Sequence, residues 1–371
     1  LPATVEIIQD NVIGPSLGEE NISRSIKALL IGFGLVLLFM IAYYSTGGVV
    51  SILSLLLNLF FIFGVLAQFG TVLTLPGIAG IVLTIGMAVD ANVIIYERIR
   101  EELNLGKSVK NAIADGFSNS YSAIIDANVT TFLTAMVLAY FGLGPIKGFA
   151  VVLMVGVVSS IFTAVLIGRL LIDQWMKSGR NINFSSGFSK NAFTGLTIDW
   201  LGKRKRAYVI SSVIILAGIA SIFMKGFDLG IDFKGGYSYN VEFAKEVEAD
   251  QIREALAVSF GDEPVVKAVD TRNTFNIVTS YMIENTDDDA ADKVMEALHQ
   301  GISTIDQVSL ADFSDIESNG NTHVVQSSKV GPTIADDITK SSYKAGLFAL
   351  AIIFLYLLLR FSRWEFSVGA I

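Results

Sequence analysis

The chain has no cysteine, and only two histidines (His299 and His323) and six prolines among its 371 residues. Without thiols there is no disulfide framework and no thiolate chemistry, and cysteine usage says nothing about the redox compartment. Both histidines fall in a polar stretch, which excludes a histidine metal site or histidine proton relay among the apolar segments. Charge is scarce too: 17% of residues are charged, against about a quarter in ordinary soluble domains. No nucleophile–base set, metal cluster or nucleotide loop is found, so a soluble-type enzyme is disfavoured, and neither cofactor nor metal is expected.

Apolar residues take the place of charge, at 52% of the chain with a mean hydropathy of +0.57. Crossing a bilayer core takes a helix of roughly 20 residues. Seven segments approach that length, near 27–44, 49–69, 73–96, 120–141, 149–172, 207–224 and 342–359. The expectation is a polytopic α-helical membrane protein. Its parts would be a polar, turn-rich start (1–26), a five-helix bundle (27–173), a polar linker (174–206), a sixth helix (207–224), a large polar domain (225–341), and a seventh helix with the start of a further segment (342–371). The connections at 45–48 and 70–71 are short enough to make those helices antiparallel neighbours.

Lysine and arginine near the helix ends set the orientation. Arg98, Arg100, Lys107 and Lys110 follow the third segment, Lys177 to Arg206 include seven basic residues after the fifth, and Arg360 and Arg363 follow the seventh. With alternating spans all three groups lie on one side, which the rule makes cytoplasmic. Lys203–Arg206 then reads as a positive-inside anchor rather than a nucleic-acid site. The polar domain falls opposite, acidic run Asp287–Asp289 included.

Within that domain 237–243 alternates as a strand and 250–258 is helical in spacing. Residues 265–269 and 274–279 flank a hairpin signal at Asp270–Asn273. A second helix is expected at 287–299, and strands near 304–310 and 323–327. This β-α-β-β-α-β order is that of a ferredoxin-like α+β sandwich. GIDFKGG (230–236) lacks the Lys-Ser/Thr of a phosphate loop and reads as a turn feeding the first strand.

The candidate site is carried by a repeat. Val89-Asp90-Ala91-Asn92-Val93 in the third segment recurs as Ile125-Asp126-Ala127-Asn128-Val129 in the fourth. An intramembrane carboxylate costs several kcal/mol unless it faces protein or water, and such residues are usually functional. Carboxyls held in hydrocarbon also load and release protons nearer neutral pH than exposed ones do. Asp90 is therefore expected to carry protons, with Asp126 a second polar site. Ser122, Asp126, Thr130 and Thr134 fall four apart on one face. In the third segment Gly86 and Asp90 share a face that continues to Glu97, and Gly77, Gly80 and Gly86 would admit a neighbouring backbone. The alternative is that both aspartates merely bond adjacent helices, with Asn92 and Asn128 as partners. Asn58 and Gln68 read as helix-to-helix glue.

A weaker repeat links Gly14-Pro15-Ser16-Leu17 to Gly331-Pro332-Thr333-Ile334, each leading after the same interval into Lys-Ala and a long apolar run. Many transporters are built from two such halves.

The segment LPGIAGIVLTIGMAVDANVIIYERIREEL (75–103) resembles the signature membrane helix of the SecD family, and DANVTT, FGLGPIKGFA and SSIFTAVLIGR continue the likeness. From Ile198 onward GIDFKGG, KVGPTIADDI and RFSRWEFSVGAI resemble SecF. A fused SecDF, related to the resistance–nodulation–division (RND) exporters, is what the resemblance implies. It implies an accessory subunit beside the SecYEG translocon in the bacterial inner membrane. That subunit uses the proton motive force to help move unfolded preproteins, with Asp90 protonated and residues 225–341 in the periplasm. Proton-coupled export of small molecules or lipids is the alternative. The chain opens at Leu1 and stops at Ile371; the resemblance implies that most of a SecD periplasmic domain precedes it and further SecF helices follow.

Overall fold

Backbone groups in hydrocarbon must satisfy one another, which is why each long apolar run folds as a helix. The computed structural model describes residues 9–70, 74–190, 199, 201–226, 229–269, 273–285, 289–316 and 320–370. In chain order β1 (Gln9–Ile13) precedes α1 (Pro15–Tyr44), α2 (Thr46–Gln68), α3 (Leu75–Asn104), α4 (Val109–Phe141) and α5 (Pro145–Ile161). A π-helical turn (Phe162–Ile167) joins α5 to α6 (Gly168–Lys177). Then come α7 (Arg204–Lys225), α8 (Ile231–Lys234), β2 (Gly236–Glu242), α9 (Ala249–Phe260), β3 (Val265–Ala268) and β4 (Thr274–Thr279). The chain continues through α10 (Ala290–Ile302), α11 (Leu310–Ser314), β5 (His323–Val330), α12 (Pro332–Arg360) and α13 (Trp364–Gly369). Among the described residues seven helical spans are long and apolar enough to cross a membrane.

The elements group into two compact units, one of residues 1–23 and 199–340, the other of 24–198 and 341–371. In the second, α3 is the central helix. Thr74 caps it, its hydroxyl accepting from Gly77 N–H at 3.2 Å, with proline in the first turn. Its buried face (Ile81, Thr84, Ile85, Ala88, Ala91, Asn92, Ile95, Ile99) follows helical spacing. Small residues let neighbours approach it closely: Gly80 lies against Phe149 and Val152, Gly116 against Ile99, and Gly156 against Thr84. Gly86, expected to do the same, faces open space.

Residues 178–190, read from sequence as plain linker, include a docked strap. Phe184 is 1% exposed and packs on Tyr96 at 5.1 Å between ring centroids. It also lies so near Gly47 that any side chain there would meet the ring at 2.8 Å. Backbone bonds complete the docking: Gly47 N–H donates to Asn183 O at 2.9 Å, and Ser186 N–H to Tyr43 O at 3.2 Å.

The other unit carries the sheet, in the order β1-β5-β2-β4-β3 with every pair antiparallel. Strands β2 to β5 with α9 and α10 make the expected ferredoxin-like arrangement, and β1 adds an edge strand. Alternation along β2 sends Tyr237, Tyr239 and Val241 into a core shared with Ile252, Leu256 and Leu298. Gly235 and Gly236 turn the chain from α8 into β2 at φ 74° and 145°, angles closed to most side chains.

Several expectations need correction. Residues 15–26 are not turns but the first turns of α1, because Gly14-Pro15 is a helix start with proline at its first position. Residues 332–341, read from sequence as the last part of the polar domain, are helical and form the first turns of α12. No strand forms near 304–310: Asp306 N–H bonds back to Ile302 O and His299 Nε2 donates to Val308 O, closing the end of α10. The hairpin tip 270–272, Asp287 and Asp288, residues 1–8, and 191–198 with Trp200 lie outside the described residues.

Candidate functional site

The two Asp-Ala-Asn-Val segments take different roles in the bundle. On α3 the helical twist turns Asn92 inward, 3% exposed, and Asp90 outward. Asp90 shares its exposed face with Gly86, and half-exposed Val93 and Glu97 continue it. Every other described carboxylate from α3 to α6 has a partner. Glu97 accepts from Tyr44 Oη at 2.9 Å and Arg100 Nη1 at 2.7 Å. Glu101 pairs with Arg98 at 2.6 Å, Asp115 with Lys107 at 2.7 Å, and Asp173 with Arg169 at 3.4 Å. Glu102 is 3% exposed and is held by Lys107 at 2.6 Å, Arg98 at 3.0 Å and Asn119 at 3.3 Å. Asp90 makes no hydrogen bond or ion pair with the described residues.

Asp126 on α4 is tightly held. Its Oδ1 accepts from Arg360 Nε at 2.7 Å and Tyr356 Oη at 2.8 Å, both from α12, and its Oδ2 from Ser122 Oγ at 3.3 Å. Arg360 Nη2 also donates to Ser122 Oγ. The four-residue spacing that put Ser122 and Asp126 on one face thus brings them to a common cation. One and two turns further, Thr130, Thr131 and Thr134 line a groove of about 400 Å³ with Ile353 and Leu357 of α12. Their hydroxyls donate to their own helix: Thr130 to Ala127 O at 2.8 Å and Thr134 to Thr130 O at 2.9 Å.

The asparagines do not partner the aspartates. Asn92 Nδ2 reaches Ala88 O at 3.5 Å; Asn128 Nδ2 donates to Ile124 O at 2.8 Å and its Oδ1 accepts from Ser160 Oγ at 3.4 Å. Asn58 accepts from Ser159 Oγ at 3.2 Å, as expected of glue between α2 and α5. Sequence reasoning missed Tyr356 and Arg360 as partners of Asp126. Only the run of tyrosine and arginine one turn apart at an apolar helix end could have pointed to them.

Comparison with known proteins decides the family. The family model described as "Protein export membrane protein SecD/SecF, C-terminal" matches residues 2–178 and 312–371, and "SecD/SecF GG Motif" matches 220–247. The chain belongs to the SecD/SecF family. Protein translocase subunit SecD of Rhodothermus marinus is 58% identical over 173 residues, 47% of this chain and 28% of that protein. SecD of Desulfurispirillum indicum is 53% identical over 173 residues, 47% and 34% of the two chains. Among solved structures, SecDF of Thermus thermophilus, titled a translocon-associated membrane protein, is 32% identical with a TM-score of 0.80 over 97% of this chain and 46% of that one. SecDF in a super-membrane-facing form gives 32% and 0.65. The chain therefore spans about a third of the SecD relatives' length, and less than half of the SecDF chains. The SecD likeness and the SecD/SecF GG motif fall in one polypeptide, a multi-pass membrane protein of SecDF type.

Proposed function

We propose that this SecDF-type chain belongs to an accessory subunit of protein export, which uses the proton motive force to assist late movement of unfolded preproteins through SecYEG. It acts in transport, not as a chemical catalyst. Residues 225–341 lie on the periplasmic side of the bacterial inner membrane, opposite the basic helix ends. The observation that carries the reading is Asp90: a carboxyl within an apolar span, on an exposed helix face, with no partner among the described residues while its neighbours are paired. In that setting its charge is free to change without breaking a built ion pair. A proton crossing 100 mV supplies about 2.3 kcal/mol, enough to bias a two-state rearrangement.

Asp126 serves differently. Arg360, Tyr356 and Ser122 all donate to its carboxylate, so its role is to fix α12 to α4 rather than to carry protons. Glu97, Asn92, Asn128 and Thr130 support the helices around the two aspartates. Export of small molecules or lipids would need a deep apolar pocket in the sheet domain. That interior is filled instead by side chains such as Tyr239, Val241, Leu256 and Leu298, each at most 3% exposed.

The test is gradient-dependent translocation by full-length wild type and Asp90→Asn with SecYEG in proteoliposomes, after equal insertion is verified. Loss of the gradient-dependent part alone is expected. Unchanged translocation overturns the role of Asp90.

A further inference from the structure

Several glycines packed between helices of the membrane unit face carbon. Gly80, Gly116 and Gly156 each have an apolar atom of a neighbouring helix as the nearest neighbour of the Cβ position. Gly168, at the start of α6, is buried and differs. Apart from its chain neighbours and its own helix backbone within four residues, the three heavy atoms nearest its Cβ position are all oxygens: Ser54 Oγ at 3.4 Å, Thr163 O at 3.5 Å and Asn92 Oδ1 at 3.6 Å. They come from three separate places, namely α2, the π-helical turn and α3.

These oxygens are deeply buried. Ser54 is 1% exposed, Thr163 2% and Asn92 3%. Among the described residues Ser54 Oγ has no hydrogen-bond partner, and the same holds one turn away on either side for Ser51 Oγ and for Asn58 Nδ2. Thr163 O accepts from Gly168 N–H, the i to i+5 bond of the π-turn, and keeps a second lone pair. A carbon at this point would leave the Ser54 hydroxyl unsatisfied in a low-dielectric interior, which is costly. A buried water needs two to four polar partners and about the room of one small group. The polar partners are present here.

We propose that the α2–α3–π-turn junction is a binding site for an ordered water, which accepts from Ser54 Oγ and donates to Asn92 Oδ1 and Thr163 O. The ligand is water rather than a cation. The oxygen set is uncharged, and Asp90 lies on the opposite, exposed side of α3. The site gives the π-turn a reason to persist. Widened turns recur at functional positions, and a water inserted beside a helix ladder is a known cause of such irregularity. It also assigns Asn92 a task that Asp90 does not share: the motif's asparagine holds the wet junction inside while its aspartate stands outside. The competing arrangement has the Ser54 hydroxyl rotate onto its own helix backbone, leaving the junction dry.

Two measurements decide between them. The first is water-edited solid-state NMR of the full-length protein in bilayers with 15N-asparagine labelling. Rapid magnetisation transfer from water to the Asn92 side chain is expected, at least several-fold faster than to interior leucine methyls. Transfer no faster than to those methyls overturns the proposal. The second is Gly168→Ala, whose methyl would sit at ordinary contact distance from the three oxygens and so causes no clash. At a dry junction this change fills space and removes a flexible residue from a helix, so the melting temperature rises. At a wet junction it displaces the water, lowers the melting temperature and abolishes the Asn92 transfer. A higher melting temperature with the transfer unchanged is the contrary result. Should Gly168→Ala fail to insert, the wild-type NMR experiment still decides.

Discussion

Replacing Phe184 with alanine should release the strap at 182–190 without unfolding the bundle. Burial of a phenylalanine removes about 150–250 Å² from solvent, worth roughly 4–6 kcal/mol at 25 cal/mol per Å². Measured truncations of buried phenylalanine cost about 3–5 kcal/mol, and Phe184 is 1% exposed. What remains are the bonds of Asn183 to Thr46 and Gly47 and of Ser186 and Ser189 to Tyr43, with Arg100 on Ser189 O at 2.7 Å. Each is worth about 1 kcal/mol net. At 1.4 kcal/mol per tenfold, opening of the strap should become roughly 100 to 3,000 times more frequent. Hydrogen–deuterium exchange resolves this at Gly47, Asn183 and Ser186, whose amides bond across the strap. Their protection should fall by that factor while Ile85 to Ala91 of α3 remain protected. Unchanged protection would show that the ring does not hold the strap. Equal loss in α3 would show that strap and bundle open as one unit, which also refutes the reasoning.

Three further perturbations probe other parts. Asp126→Asn or Arg360→Gln should each lower the melting temperature in detergent, and the exchange Asp126→Arg with Arg360→Asp should recover part of the loss; additive losses would deny the pair. Asp306 lies below its ordinary carboxylate value of 3.8 because the Thr322 hydroxyl, at 2.6 Å, and Lys245 favour its charged form. A lowered folded value means that its contribution is full above the unfolded value and fades as pH drops through the folded one. Exchange protection of β5 should therefore weaken below about pH 4, less steeply in Asp306→Asn; identical acid limbs would count against this. Leu298, fully buried in the sheet domain, should cost about 2–5 kcal/mol on truncation to alanine, read as earlier loss of domain exchange protection; a loss under 1 kcal/mol would mean that the core closes around the gap.

The seven spans and the ferredoxin-like order were legible because both depend on local pattern: apolar length in one case, alternation and turn chemistry in the other. Helix ends were less so. α3 runs on to Asn104 and α12 begins at Pro332, since charged and polar residues continue a helix as readily outside the apolar window as apolar ones do within it. Strand β1 was hidden because five residues carry little periodicity and its partner β5 is more than 300 residues away. The strap was hidden for a similar reason, with Ile182 and Phe184 isolated in a polar run. At the site, spacing correctly placed Ser122 and Asp126 on one face. It could not supply the register between α4 and α12 that brings Arg360 and Tyr356 to them, nor say that the repeated motif would face outward on one helix and be clamped on the other.

The central claim is that Asp90, not Asp126, gains and loses the proton. Infrared spectroscopy of the full-length protein in lipid, titrated with pH, reads the protonated carboxyl stretch directly. The account predicts a titrating carboxyl band that disappears in Asp90→Asn and persists in Asp126→Asn. A band that survives Asp90→Asn and is lost with Asp126→Asn would contradict it.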